Sequence, residues 1–351
     1  MIDLTNLEYE EIERFVTETL NEPKFRAKQI FGWIYGGPTK DGSFRSGAQS
    51  FDEMNNLPKT LREKLTAQAF LTSLDVLRTQ VSKLDGTRKF LFRLADGNAI
   101  ESVFMRYKFG NSICVSSQAG CRMGCRFCAS TIGGLKRNLT PGEIAGQILA
   151  AQRETGQRIS HVVVMGTGEP FDNYENLAKF LHIIHDPNGL NLSMRNITVS
   201  TCGLVPMIAR FAEDFPQVNL AISLHAVSNE MRDEIMPVNK AYPMETLLSA
   251  CRDYTQKTAR RVTFEYTLVK GVNDSAEYAR KLAARLQGML CHVNLIPLNK
   301  VEETGYDTSE RGAVLRFQQV LTECGIPATI RRELGDDIDA ACGQLRLAEK
   351  G

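Results

Sequence analysis

Apolar positions recur at helical spacing through the start of the chain. Ile12, Phe15, Val16 and Leu20 share one face, and Phe25, Ile30, Phe31 and Ile34, with Trp33 beside them, share another, so residues 3–35 read as two amphipathic helices. The span GGPTKDGSFRSGAQS (36–50) is poor in apolar residues and rich in Gly and Ser, the composition of a mobile loop. Helical spacing returns over FDEMNNLPKTLREKL. From about residue 76 the period drops to two. Asp85-Gly86 and Asp96-Gly97 sit between alternating runs such as TRKFLFRL and NAIESVFM, which predicts a β-meander.

Beyond residue 140 strands and helices alternate. Thr140-Pro141-Gly142-Glu143 has the spacing of a capping box with proline at the first helical position. Strand-like runs follow at 161–166, 196–201, 218–225, 262–269, 292–299 and 328–332, most of them separated by helical segments of about a dozen residues. The pattern predicts an α/β class with parallel strands, as a barrel or an open sheet. Three segments result: a helical N-terminal module over 1–75, a β-meander extension over 76–106 and a catalytic core over 107–351.

Composition adds little to that picture. With 351 residues, 43% hydrophobic and 24% charged, the chain can bury a large core, and no apolar run is long enough to span a bilayer. The acidic, helical N-terminus has neither signal-peptide nor transit-peptide character, so a cytoplasmic location with no membrane partner is expected. Net charge is +1, yet Arg106, Lys108, Arg122, Arg126, Lys136 and Arg137 fall within 102–137 with no acidic residue between them. That segment could attract phosphates or be an ordinary solvated face.

Nine cysteines, unevenly spaced, suit a reducing compartment better than a disulfide framework. Cys121, Cys125 and Cys128 crowd one short stretch, GCRMGCRFC. Three thiols fall one short of a closed zinc site, and no second Cys-x-x-Cys pair exists; His161, inside a strand-like run, is a poor fourth ligand. A cubane iron–sulfur cluster with one open iron suits three thiolates better, with zinc as the alternative. Polar residues collect at strand ends, where βα folds build their sites: Gly168 and Glu169 in MGTGEP, Ser200, Ser223-Leu224-His225 and Asn299. Of the other thiols, Cys251, Cys291 and Cys324 read as core. Cys202 reads as structural though close to the strand-end pocket, and Cys114 is compatible with core. Cys342 sits in a polar, glycine-flanked stretch, GDDIDAACGQL, that packing does not explain.

Cys-x₃-Cys-x₂-Cys with Phe127 before the last cysteine resembles the signature of the radical S-adenosylmethionine (SAM) superfamily. CVSSQAGCRMGCRFC, MGTGEP, SLHA, NLIPLN and DDIDAACGQL occur in the order found in the RlmN family, and the similarity runs from about residue 8 to 347. The resemblance implies a partial (βα)6 barrel that carries the helical module and the meander. It implies a methyltransferase acting on C2 of adenosine in 23S rRNA and in tRNA, at the adenosine 3′ of the anticodon, as a monomer. The sister Cfr family, which methylates C8, tends to carry GMGEA and NLIRYN where this chain has GTGEP and NLIPLN. A [4Fe-4S] cluster on Cys121, Cys125 and Cys128 is implied, with two SAM molecules per turnover held by Gly168, Glu169, Ser200, Ser223, Leu224, His225 and Asn299. By the same resemblance Cys342 carries the methyl group, Glu101 accepts the C2 proton, and Cys114 resolves the adduct through a transient disulfide with Cys342. An electron donor and a thiol reductant are implied as partners. A zinc-stabilised RNA-binding protein is the non-enzymatic alternative.

Overall fold

The computed structural model describes residues 1–38, 43–298, 305–332, 334–335 and 337–338. The two Asp-Gly turns fall where the period-two runs meet. They join β1 (Asp75–Val81), β2 (Arg88–Arg93) and β3 (Ala99–Tyr107) into an antiparallel meander, and β4 (Gly110–Cys114) continues it. Gly86 and Gly97 take φ of +74° and +84°, a region that side chains rarely enter.

After β4 every strand of the sheet is parallel to its neighbour: β5 (His161–Val164), β6 (Ile197–Thr201), β7 (Asn219–Ser223), β8 (Val262–Leu268), β9 (Cys291–Pro297) and β10 (Ala328–Ile330). All ten strands lie side by side in chain order. The connections carry α4 (Pro141–Thr155), α5 (Tyr174–His185), α6 (Val205–Asp214), α7 (Asn229–Ile235), α8 (Met244–Thr258), α9 (Ala276–Leu286) and α10 (Arg311–Glu323). The result is six strand–helix units and a closing strand, the α/β architecture expected. The capping box forms as read: the Glu143 N–H donates to Thr140 Oγ1 at 3.2 Å, and the Thr140 N–H donates to Glu143 Oε2 at 2.9 Å.

The N-terminal module is built on α1 (Tyr9–Arg14), which passes into a π turn at Phe15–Thr19, α2 (Phe25–Tyr35) and α3 (Lys59–Gln68). It packs directly on the strand–helix units. A Cβ on Gly142 would lie 2.2 Å from Thr5 Oγ1, and the Gly142 N–H donates to Asn6 Oδ1 at 2.8 Å. Only glycine admits so close an approach at the first turn of α4.

The loop reading gains detail, and one expectation is corrected. The 36–50 stretch is anchored at both ends. Gly37–Pro38 pairs antiparallel with Phe44–Arg45, the Ala48 N–H donates to the Trp33 carbonyl at 2.7 Å, and the Arg45 guanidinium lies 4.1 Å over the Trp33 ring. Cys324, read as core, is exposed. It caps α10, and beyond Gly325 (φ +80°) the chain turns so that Ile326 donates to the Leu321 carbonyl and takes the buried place instead.

Candidate active site

The cysteine loop is closed by a short ladder in which Gln118–Ala119 pairs with Arg137–Asn138. At its neck a Cβ on Gly120 would lie 2.0 Å from the Gly134 carbonyl oxygen. Inside the loop the Cys128 N–H donates to the Cys125 carbonyl at 3.1 Å, and Thr131 Oγ1 donates to the Cys128 carbonyl at 2.9 Å. These bonds fix a turn that directs Cys121, Cys125 and Cys128 to a single cavity of about 250 Å³ at the C-terminal ends of the parallel strands.

Gly168, Glu169, Ser200, Ser223 and His225 line the same cavity. Gly168 has φ +111°, and a Cβ there would lie 2.6 Å from the Gln118 Cβ. Gln118 ties this turn to the cysteine loop: its Oε1 accepts from the Glu169 N–H at 2.8 Å, and its Nε2 donates to Asn138 Oδ1 at 2.8 Å. The Glu169 carboxylate accepts from the N–H groups of Phe171 at 2.9 Å and Cys202 at 2.7 Å. Burial nevertheless raises its pKa. His225, at φ +55°, accepts from the Thr267 N–H on Nδ1 at 2.9 Å, so the neutral ring carries its proton on Nε2. Burial, with the Arg232 charge nearby, pushes His225 down to about 3. Its ring meets that of Phe127 edge-on, at 4.9 Å.

Other predicted residues fall elsewhere. The Leu224 side chain is fully buried in the core and does not line the cavity. Asn299 and Cys342 lie outside the described residues. Cys202, read as structural, lines the cavity beside Cys125. His161 opens β5 at the far end of the sheet, against Phe109.

Glu101 and Cys114 come together on neighbouring strands. Val103 pairs with Cys114 in the β3–β4 register, and both Glu101 and Cys114 line a small recess with Thr167 and Gly166. Gly166 also borders the main cavity. Ser116 holds the corner: its Oγ donates to the Glu101 carbonyl at 2.7 Å and accepts from the Thr167 N–H at 3.0 Å. Glu101 is 4% exposed and lies 3.1 Å from Lys89 Nζ.

The basic segment does not form one patch. Arg137 is bidentate to Glu143, with both contacts at 2.7 Å, and also bonds Asp96, while Arg122 pairs with Asp172. Lys108 sits on the β3–β4 hairpin at the end of β4 away from the cavity. Sequence reading also missed Glu265, a 5%-exposed carboxylate on β8 that lines the cavity and accepts from Asn294 Nδ2 at 2.8 Å. A lone glutamate within VTFEYTLV carries no local signal of this.

The donor set fits an iron–sulfur cluster. Burial pushes the Cys121 thiol up to about 12 and raises Cys125 as well, with the neighbouring thiols adding to both, so ionisation of these two calls for a bound cation. Ser130 Oγ, on the cavity wall, is buried without a hydrogen-bond partner among the described residues. Among the described residues no three His, Cys, Asp or Glu side chains sit at single-ion spacing. A cluster whose thiolates each bind a different iron does not require it.

A family model described as the radical SAM superfamily matches residues 115–283. Another, described as the ribosomal RNA large subunit methyltransferase N-terminal domain, matches residues 2–71. A protein of Clostridium novyi (strain NT), named "Probable dual-specificity RNA methyltransferase RlmN", is 51% identical over 346 residues, covering 99% of this chain and 98% of its own. A protein of the same name from Thermoanaerobacter sp. (strain X514) is 49% identical over the same shares. The crystal structure of a radical SAM methyltransferase from Sphaerobacter thermophilus superposes with a TM-score of 0.91 at 45% identity, covering 98% of this chain and 99% of that one. The cavity-facing thiols, the strand–helix series behind them and full-length similarity agree: the chain belongs to the RlmN family of radical SAM RNA methyltransferases.

Proposed function

We propose that the chain methylates C2 of adenosine in 23S rRNA and in tRNA, with Cys121, Cys125 and Cys128 holding a [4Fe-4S] cluster. Gly168, Glu169, Ser200, Ser223 and His225 bind SAM, joined by Asn299, and Leu224 contributes through its backbone. The observation that carries this reading is the recess shared by Glu101 and Cys114, which meets the cysteine-lined cavity at Gly166. Glu101 and Cys114 thus lie beside the thiol-lined cavity, which supports giving them the roles of proton acceptor and resolving thiol.

Adenine C2 is electron-poor and does not attack a methyl group by itself. When bound, the cluster and SAM supply the methyl carbon and a 5′-deoxyadenosyl radical, two SAM molecules being used per turnover. Cys342 carries the methyl carbon to C2 after one of its hydrogen atoms has gone to that radical, and the unpaired electron left on the adduct would return to the bound cluster. The Glu101 carboxylate takes the C2 proton, and the Lys89 ammonium at 3.1 Å helps hold it in place. Cys114 sulfur then attacks Cys342 sulfur. The bond from Cys342 to the transferred carbon breaks, its electron pair stays with that carbon, which becomes the methyl group on protonation, and a Cys114–Cys342 disulfide is left. A cellular thiol reductant restores both thiols, and a separate cellular donor supplies electrons to the cluster.

The target base has to leave its stack to reach a buried recess. The 1–75 module docks RNA, and the exposed Lys136 and Arg126 beside the cysteine loop contact phosphate. Catalysis needs one copy of the chain and takes place in the cytoplasm. Among the described residues no helix is long and apolar enough to cross a membrane.

Anaerobic reconstitution with iron, sulfide, SAM and a low-potential reductant, followed by digestion of treated rRNA and tRNA and mass spectrometry of the nucleosides, tests the reading. 2-Methyladenosine is expected. 8-Methyladenosine would move the chain to the C8 chemistry, and a colourless zinc protein without 5′-deoxyadenosine production would overturn the proposal.

A further inference from the structure

Arg232, on α7, is fully buried and is among the largest side chains with no solvent contact. Among the described residues its guanidinium meets only neutral acceptors. Nη2 donates to the carbonyls of Cys202 at 2.6 Å and Ser223 at 3.2 Å, Nε to the Leu224 carbonyl at 3.3 Å, and Nη1 to Asn239 Oδ1 at 3.2 Å. Among the described residues no carboxylate forms an ion pair with it. Asp233 is reached only through Asn239, whose Nδ2 donates to Asp233 Oδ1 at 2.8 Å. A guanidinium stays charged when buried, and a buried charge without a counter-ion is costly.

The missing negative charge has an evident place. The cysteine loop is bonded to the end of α7, where the Arg126 N–H donates to the Ile235 carbonyl at 3.0 Å. Cys125 and Cys202 pack with Ile235, Met236 and Val238 in one small apolar cluster. Cys202, whose carbonyl accepts from Arg232, is thus the link between the guanidinium and Cys125. Low dielectric on this side leaves little water to screen a charge from the cysteine loop.

We infer that Arg232 is a positioning residue whose buried charge stabilises the reduced state of the cluster held by Cys121, Cys125 and Cys128. This rests on the reading that those thiols hold a cluster. One electron from a low-potential donor makes the thiolate-bound cluster more negative by one charge, with no proton or bond change at Arg232. A fixed positive charge nearby favours that state, and charge and hydrogen bonding around a cluster set its potential. The arginine therefore makes the electron easier to accept, and its carbonyl contacts hold the ends of β6 and β7 that frame the cavity.

The test is an EPR-monitored redox titration of the cluster-loaded full chain without RNA. In Arg232→Gln the ratio of reduced to oxidised cluster at a given applied potential is expected to fall about tenfold, a shift of about 59 mV to more negative potential for a one-electron couple. Arg232→Lys keeps the charge and is expected to return most of the shift. Asp233→Asn removes the carboxylate that Arg232 reaches through Asn239 and is expected to move the potential the other way; that variant leaves the guanidinium in place should Arg232→Gln fail to load its cluster. Unchanged potentials in Arg232→Gln and Asp233→Asn, with iron content intact, would overturn the inference while leaving the cluster assignment standing. A chain that takes up no cluster in any variant would instead remove the reading beneath it.

Discussion

Lys89 Nζ lies 3.1 Å from a Glu101 carboxylate oxygen, and the two side chains are 0% and 4% exposed. They face each other diagonally across β2 and β3, where Leu91 rather than Lys89 is the direct partner of Glu101. Breaking a buried ion pair by removing one member is costly. The pair thus joins the stability of the meander to the proton acceptor proposed for catalysis.

Lys89→Met is expected to destabilise the fold by about 3–5 kcal/mol, since it leaves a carboxylate buried without its cation. Urea unfolding measures this. The Lys89→Met/Glu101→Gln double variant should recover much of the loss, because both charges are gone. RNA methylation should not recover with it. A double variant that regained turnover would remove Glu101 from the mechanism.

Cys114→Ala should leave cluster loading intact and stop the cycle after bond formation to RNA. The expected product is RNA covalently attached through Cys342, resistant to denaturing electrophoresis and released by protease digestion. Clean turnover by this variant would show that the thiol lining the recess does not resolve the adduct.

His225 gives a pH dependence with a definite sign. Its folded pKa of about 3 lies below the roughly 6.5 of a solvated imidazole, so the unfolded chain binds the proton first as pH falls. The contribution is flat above about pH 6.5 and costs stability as pH drops from there toward 3, at up to about 1.4 kcal/mol per pH unit. Unfolding midpoints at pH 7.5, 6.5 and 5.5 should fall less steeply in His225→Asn than in the parent; asparagine tolerates the positive φ. Equal slopes would mean that the buried imidazole does not govern this limb.

Charge reversal separates the two basic residues before α4. Arg137 bonds Asp96 and Glu143, and Glu143 is also the capping-box acid of α4. Arg137→Glu is therefore expected to lower stability by about 1–3 kcal/mol in urea unfolding. Lys136→Glu, at an exposed position, should leave stability within about 0.5 kcal/mol and weaken RNA binding in a salt-dependent way. Filter binding at two salt concentrations distinguishes them, and unchanged RNA affinity in Lys136→Glu would move the phosphate contact elsewhere.

Much of the site is readable along the chain because its signals are local. The three thiols, the glycines of MGTGEP and the serines at strand ends lie within short stretches whose spacing already implies their geometry. Glu265 and Arg232 escape such reading. Each looks like an ordinary polar residue of a strand or a helix, and its burial depends on Asn294 or on the Cys202, Ser223 and Leu224 carbonyls, brought in from other elements. Cys324 fails for the same reason in reverse: its helical spacing points inward, but the turn at Gly325 gives the interior to Ile326.

The sequence by itself determined the order of the elements, the meander turns, the cap of α4 and the thiol trio, since each follows from periodicity or from chemistry within a few residues. Only the tertiary structure decided which charges are buried, which cations are already neutralised by carboxylates such as Asp96, Glu143 and Asp172, and that Glu101 shares a recess with Cys114. Those outcomes depend on desolvation and on partners distant in the chain. Both are set when the sheet is assembled, and neither leaves a mark on the spacing of residues.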